Sequence, residues 1–394
     1  MAVSEFRVRR DISSYINDPK VRGLVFQAVM LAALVFFVSW IIGNTIENLR
    51  RSNIASGFSF LNGRSGFDIA QTPIEYSSNS TYGRALIVGL LNTLIVSVLG
   101  IITALLIGFA VGVGRLSHNW LICKLSTVYV ETFRNIPPLL IIIFWYTAVL
   151  KVLPGPKDSI KLPFGGFLNN RGFILPKAVW GEGAWLIALG VVLGILFSFL
   201  VRRWARERQF ATGQQFPVLW TSLALIFGLP LMASILTGFP LTWNMPKVGN
   251  FNMSGGFEIL PEFLSLYLAL SIYTATYIAE IVRAGINGVS KGQSEAARAL
   301  GFRDAPVLRL VVIPQAMRTM IPPLTSQFLN LTKNSSLAIA IGYSDLVATG
   351  GTVLNQTGQA IEIVAIWMLV YLGLSIVTSV FMNWFNAKMA LVER

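Results

Sequence analysis

The sequence predicts an all-α polytopic membrane protein with about eight transmembrane helices. Three observations carry that reading. Apolar residues make up 54% of the 394-residue chain and charged residues only 12%, about half the charged fraction of an average soluble domain. Mean hydropathy is +0.65. The apolar residues are gathered into runs long enough to cross a hydrocarbon core of ~30 Å at about 1.5 Å per helical residue. Such a composition leaves too little polar surface for an ordinary soluble enzyme and too little charge for a disordered regulator.

The first run is Leu24–Gly43, preceded by Arg7, Arg9, Arg10, Lys20 and Arg22. It lacks a small-residue cleavage site and reads as a retained anchor. Ala85–Val113 follows without a charge. Leu125–Leu150 is expected as one span, apolar after Pro138 but holding Glu131 and Arg134 near its start. Ala184–Val201 and Pro217–Thr237 are clean, the latter with Pro230 as a kink. Ile259–Val282 carries Glu262 and Glu280 near its ends. Val307–Thr332 is irregular, with Arg309, Arg318 and three prolines, and Ile361–Phe385 closes the set. The apolar stretch Ser335–Ala348 is too short to span and reads as a re-entrant helix. Asn44–Gly83 and Lys151–Gly183, rich in Gly, Asn, Ser and Pro, read as loops.

Eight spans put both termini on one side. Loops on that side hold 18 basic residues and the opposite loops 11, which makes the termini cytoplasmic by the positive-inside rule. Arg202, Arg203, Arg206 and Arg208, packed against a span end, weigh most. The net charge of +13 thus reads as orientation-setting loops in contact with membrane lipid, not as nucleic-acid binding. A single cysteine, Cys123, excludes an intrachain disulfide, and a single histidine leaves little for metal binding. No Lys follows a Gly, so the phosphate-binding Gly-Lys-Ser/Thr loop is absent. The expectation is a pore subunit that is not itself an enzyme, with no cofactor or metal of its own.

The most informative stretch is Glu280–Pro314, EIVRAGINGVSKGQSEAARALGFRDAPVLRLVVIP, in the longest basic loop. Ser294 can N-cap a short helix Glu295–Leu300, Gly301 can end it, and Asp304 can cap the next. Ala296, Ala297 and Ala299 make this helix slim. It can lie flat on the membrane, or it can enter a groove on another protein and move its flanking spans as a unit. Glu131, Arg134, Glu280, Arg318 and Lys333, at or inside span ends, must pair, snorkel or line water. Either they pair structurally, as Glu131 with Arg134 at helix spacing, or they line a pathway for a zwitterion. Tyr273, Thr274, Thr276 and Tyr277 add a polar stripe, and Asp345 is a candidate gate element.

The stretch resembles the EAA loop of binding-protein-dependent ABC importer permeases: Glu295-Ala296-Ala297, then Gly301, then Val312-Ile313-Pro314, with Ile313 where the family has Leu. ETFRNIPPLL (Glu131–Leu140), YIAEIVRAGINGVSKGQSEAA (Tyr277–Ala297) and LTKNSSLA (Leu331–Ala338) are similar to the polar amino-acid subfamily, which carries histidine, glutamine and other amino acids. Asn135, Ile136 and Pro137 depart from its Gly-Thr step. The resemblance implies a type I importer permease core split into 85–150 and 259–394, with a coupling loop at 283–309. The tail, anchor and loop of 1–84 and the two-span insert of 151–258 are additions, and in layout this enlarged form resembles the larger permease of general L-amino acid importers.

The resemblance further implies a coupling site at Glu295, Ala296, Ala297 and Gly301, aided by Arg298 and Arg303, and a pathway among Glu131, Arg134, Tyr273, Thr276, Glu280 and Arg318. The implied partners are a dimer of ATP-binding subunits that hold ATP and Mg, a sister permease in preference to a second copy, and a periplasmic amino-acid-binding protein, all at the bacterial inner membrane. Two other classes compete. An ion- or proton-coupled secondary transporter would need a charged mid-membrane site, which most spans lack. A non-transporting scaffold would leave the EAA spacing unexplained.

Overall fold

The computed structural model describes residues 19–51, 57–249 and 253–389. Arg7, Arg9, Arg10 and Arg394, which enter the orientation argument, lie outside them. Among the described residues six helices are long and apolar enough to span, or up to eight if each of two bent pairs counts as one span.

The centre of the fold is the pair α2 (Tyr82–Gly114) and α7 (Pro261–Asn287). Gly100, Ala104, Gly108 and Gly112 recur every fourth residue on α2, which puts them on one face. That face meets α7 backbone to backbone: a Cβ built on Gly108 would stand 2.6 Å from Ile278 Cβ and 2.9 Å from the Ala275 carbonyl oxygen, and one on Gly112 would stand 2.7 Å from the Ala279 carbonyl. Small residues at such a seam let dispersion act at close range, which is what associates helices in lipid. Thr81 caps α2 by accepting from the Arg84 amide. The largest buried cluster gathers around α7 and includes Leu266, Leu270, Ile278, Met320, Ile321 and Leu331.

Leu125–Leu150, expected as one span, is two helices. α3 (Trp120–Arg134) and α4 (Pro138–Ile143, running on through a π-helical segment to Leu150) meet at 104°. Pro137 and Pro138 cause the break, since the residue before a proline is pushed out of the helical region and Pro138 fits only a first turn. The expected span Val307–Thr332 begins earlier and ends later. It runs from α9 (Asp304–Val307) through a π-helical segment (Leu308–Val312) and α10 (Ile313–Asn334) into a 3-10 turn, Ser335–Ile341.

The expected re-entrant helix Ser335–Ala348 is instead that 3-10 turn, a break, and the first residues of α11 (Leu346–Thr357), bent 53° from the preceding helix. Asp345 is the cap of α11, accepting from the Ala348 amide at 2.8 Å. Tyr343 OH donates to the Asn92 carbonyl and the Leu346 amide to Thr93 Oγ1, which tie the break to α2. α12 (Ala360–Met389) closes the chain.

The insert read as loop plus two spans carries extra-helical strands. β1 (Ile160–Lys161), β2 (Phe167–Asn169), β3 (Gly172–Leu175) and β8 (Phe257–Ile259) form an antiparallel sheet in that order, with Phe173 opposite Ile259. β4 (Lys177–Trp180) pairs with β5 (Leu241–Asn244), and β6 (Lys247–Val248) with β7 (Met253–Ser254). Between β4 and β5 rise α5 (Trp185–Thr212) and α6 (Val218–Leu236), an antiparallel hairpin closed on itself through Gly190 and Gly194. The anchor is α1 (Pro19–Arg51).

Candidate functional site

The site is assembled where α2 and α7 end together. The turn 115–119 leads from α2 into α3, and three residues after α7 the chain enters α8 (Lys291–Ala299). This helix starts four residues before the expected Glu295, with Ser290 at its N-cap position. Ser294, expected as the cap, is inside it, and no capping side-chain bond is made. Lys291 and Gln293 are ordinary helix formers that extend it backward.

Its C-terminus follows the expected glycine signal in full. Gly301 adopts φ +83°, its amide donates to the Arg298 carbonyl at 2.8 Å, and the Phe302 amide donates to the Ala297 carbonyl at 3.2 Å. These are the two hydrogen bonds of a Schellman motif. Arg303, not Asp304, is the N-cap of α9. Asp304 is its first residue and accepts from Arg298, with Nη2 to Oδ1 at 3.0 Å.

The predicted coupling residues therefore divide. Ala297 is buried against Val307 and Val312, with Ile286 and Val289 alongside. It joins α8 to the flanking helices. Glu295, Ala296, Arg298, Gly301 and Arg303 are exposed. A groove of about 910 Å³ runs beside α8, lined among others by Leu116, His118, Lys291, Glu295, Arg298 and Asp304.

Behind the groove lies an ion cluster that sequence reasoning missed. Arg115, the C-cap residue of α2, pairs with Glu280 of α7 and lies 3.6 Å from Glu131 of α3, while Glu280 also pairs with Arg283 at 3.0 Å. Burial pulls the Arg115 pKa below the usual guanidinium value, the nearby Arg283 adds to this, and Glu131 opposes it. The group stays a cation, as guanidinium does in proteins. The expected Glu131–Arg134 pair is not formed; the cation nearest Glu131 is Arg115, from another helix. The one sequence signal for the cluster is an arginine placed immediately after a glycine-rich span.

The pathway residues do not form one site. Arg134 and Glu280 line a cavity of about 450 Å³ together with Gly285, Thr319 and Pro323. Thr276 is buried and donates to the Tyr273 carbonyl at 2.7 Å; the Tyr273 and Tyr277 hydroxyls are 3.0 Å apart. Glu131 is largely exposed at the end of α3, and Arg318 is half-buried on α10, outside that cavity's lining.

The family described as binding-protein-dependent transport system inner membrane component matches residues 100–391. The chain belongs to this family. Three curated relatives span nearly the whole chain. It is 62% identical over 381 residues to the general L-amino acid transport system permease protein AapQ of Rhizobium johnstonii, covering 97% of this chain and 95% of that protein. It is 50% identical over 378 residues to the putative amino-acid ABC transporter permease protein YhdX of Escherichia coli K12, with 96% of each covered. It is 42% identical over 415 residues to the glutamate/glutamine/aspartate/asparagine transport system permease protein BztB of Rhodobacter capsulatus, with 97% of each covered. The chain is thus a transport-system permease in which the insert and the anchor belong to the shared layout. Membership of this family, with relatives named as transport-system permeases, sets aside the secondary-transporter and inert-scaffold readings.

Proposed function

We propose that this permease imports amino acids, driven by a separate ATP-binding subunit that grips α8. The names of the three relatives support the substrate class. The observation that carries the coupling is the exposed end of α8. Leu300 is 79% and Phe302 46% exposed, on either side of a glycine that the Schellman bonds hold in one conformation. Large apolar side chains held rigidly in the open beside a charged groove are what a protein partner buries as a central contact. Ala297 anchors the inner side of the helix, so force on its outer side passes to α7 and to the π-helical segment after α9.

In this reading the partner holds ATP and Mg, the α8 end and both termini are cytoplasmic, and a binding protein delivers substrate at the end bearing the sheets. A sister permease, in preference to a second copy, completes the pathway. The cavity lined by Arg134 and Glu280 offers the Arg134 guanidinium to a substrate carboxylate, while Glu280 is held by Arg115 and Arg283 and serves the wall of the cavity. Tyr273, Thr276 and Arg318 lie on the helices α7 and α10 that also supply its lining, and Glu131 lies on α3 with Arg134.

The test is reconstituted uptake with and without the ATP-binding subunit. Uptake is expected only with it, and deletion of Glu295–Gly301 abolishes substrate-stimulated ATP hydrolysis while the chain remains in the membrane. Leu300→Ala weakens subunit association about 30-fold, the equivalent of the roughly 2 kcal/mol from burying a leucine. Undiminished coupling after the deletion refutes the proposal.

A further inference from the structure

The α5/α6 hairpin stands apart from the rest of the permease. Its extensive helix packing, among the described residues, is with itself. Gly190 stacks on Leu229 and Pro230, Gly194 on Leu225 and Ile226, and Ser198 reaches Ser222. Its outer faces expose Leu196, Phe199, Leu200, Phe227, Leu231 and Met232. In a membrane family this outward surface is solvated by lipid tails.

The two helices differ in length. α6 has 19 residues, about one hydrocarbon thickness. α5 has 28, and its apolar run ends at Val201, so the last turns leave the hydrocarbon. At that level the chain places a collar of aromatics. Trp204 packs edge-on against Phe216 at 5.2 Å, and Trp220 and Phe210 are exposed beside them. Trp180, Trp185 and Trp243 form the matching collar at the other end. Tryptophans at both ends of an apolar stretch mark the two headgroup levels.

Four arginines sit in the first collar. Arg203 pairs with Glu207, Arg208 bonds Gln214 and lies over the Trp204 ring, and Arg206 lies over the Phe210 ring. Arg202 and Arg206 are one turn apart on one face, both are exposed, and neither meets a carboxylate among the described residues. Glu207 is the single acid among 202–212, so the segment is strongly cationic.

We infer that the tip of this hairpin binds anionic phospholipid headgroups, with Arg202 and Arg206 on the phosphates and Trp204 and Trp220 at the ester level. The planar guanidinium suits bidentate contact with phosphate. The insert then acts as an outrigger: lipid holds its tip, and the β4–β5 and β3–β8 pairings hold its base against the entry to α7. This does not depend on which substrate the permease carries.

The full chain, with the subunits that co-purify, is placed in nanodiscs of equal phosphatidylglycerol and phosphatidylcholine, and retained lipids are counted by native mass spectrometry. Arg202→Gln/Arg206→Gln is expected to hold phosphatidylglycerol at least tenfold more weakly, as removal of two basic groups near an anionic surface implies. Arg202→Lys/Arg206→Lys is expected to keep most of it, and millimolar inorganic phosphate is expected not to displace it.

Equal retention by the Gln variant overturns the inference. So does loss of a co-purifying protein subunit from the Gln variant with lipid retention unchanged, which would make the tip a protein contact. If the Gln variant fails to assemble, brominated lipids decide on the parent protein. Brominated phosphatidylglycerol must quench the fluorescence lost in Trp204→Phe and Trp220→Phe more than brominated phosphatidylcholine does, and equal quenching overturns the inference.

Discussion

Gly301 offers a clean test because its two possible roles separate. Its φ of +83° lies in the left-handed region, and a Cβ built there meets nothing within 4 Å of its own chain. Any cost of a side chain within this subunit is therefore conformational. For an ordinary L-residue the left-handed conformation costs about 1–2 kcal/mol, so Gly301→Ala lowers the population of the capped form roughly 5- to 30-fold. Asn tolerates the conformation better, and a β-branched residue worse. The expected order of coupling is Gly, then Asn, then Ala, then Val. The assay is substrate-stimulated ATP hydrolysis by the purified complex, alongside the affinity of the ATP-binding subunit for each variant. Equal coupling across all four refutes the claim that the Schellman turn holds Leu300 and Phe302 in place. Equal loss in Asn and Val also refutes it, because that pattern follows side-chain size against a partner surface and not backbone preference.

Two further outcomes are expected. Gly108→Ala places a methyl 2.6 Å from Ile278 Cβ and destabilises by about 1–3 kcal/mol, whereas Gly373→Ala, which meets open space, does not; thermal inactivation in detergent reports both, and equal shifts would deny the close seam between α2 and α7. Arg115→Met leaves Glu280 half-paired and costs about 3 kcal/mol, the range for breaking a partly buried ion pair; in a double-mutant cycle with Glu280→Gln on the same assay the two losses are expected to be strongly non-additive, and additivity would show that the pair does not act as a unit.

Much of this architecture was legible along the chain because lipid solvation is a local property: an apolar run of sufficient length is a span whatever surrounds it. That suffices for α2, α5, α6, α7 and α12. It fails at Leu125–Leu150, where hydropathy is continuous but two prolines turn the backbone through 104°; the stop was written in stereochemistry, not in polarity. It fails again at the strands of the insert, two to four residues long, too short to show a period of two. At the site, Gly301 was readable because a helix C-cap is decided by its own residue. Ser290, not Ser294, stands at the start of α8, because the two serines are one turn apart and only the path of the chain out of α7 chooses between them. The position of Arg115 after a glycine-rich span is visible in the sequence but its pairing is not, since its partners are 16 and 165 positions away.

The placement of Arg115 also decides what a push on α8 can move. Only Gly288, Val289 and Ser290 separate α8 from α7, too few residues to absorb a displacement as slack. On its inner side Ala297 bears on Val307 and Val312, at the head of α10. One displacement is thus delivered to two helices at once. Glu280, two turns before the end of α7, is clamped to Arg115 at the end of α2, and the glycine ladder makes α2 and α7 a single close-packed body above that point. Under the proposed coupling, force entering at α8 is therefore expected to move α2, α7 and α10 as a block instead of bending α7 alone. Among the described residues the hairpin of α5 and α6 shares no extensive packing with these helices, and the strands at its opposite end lead to the block. If the lipid-held tip and the coupling through α8 both hold, the hairpin stays with the lipid while the block moves, and the expected place of strain is the β3–β8 pairing, where Ile259 leads within two residues into α7.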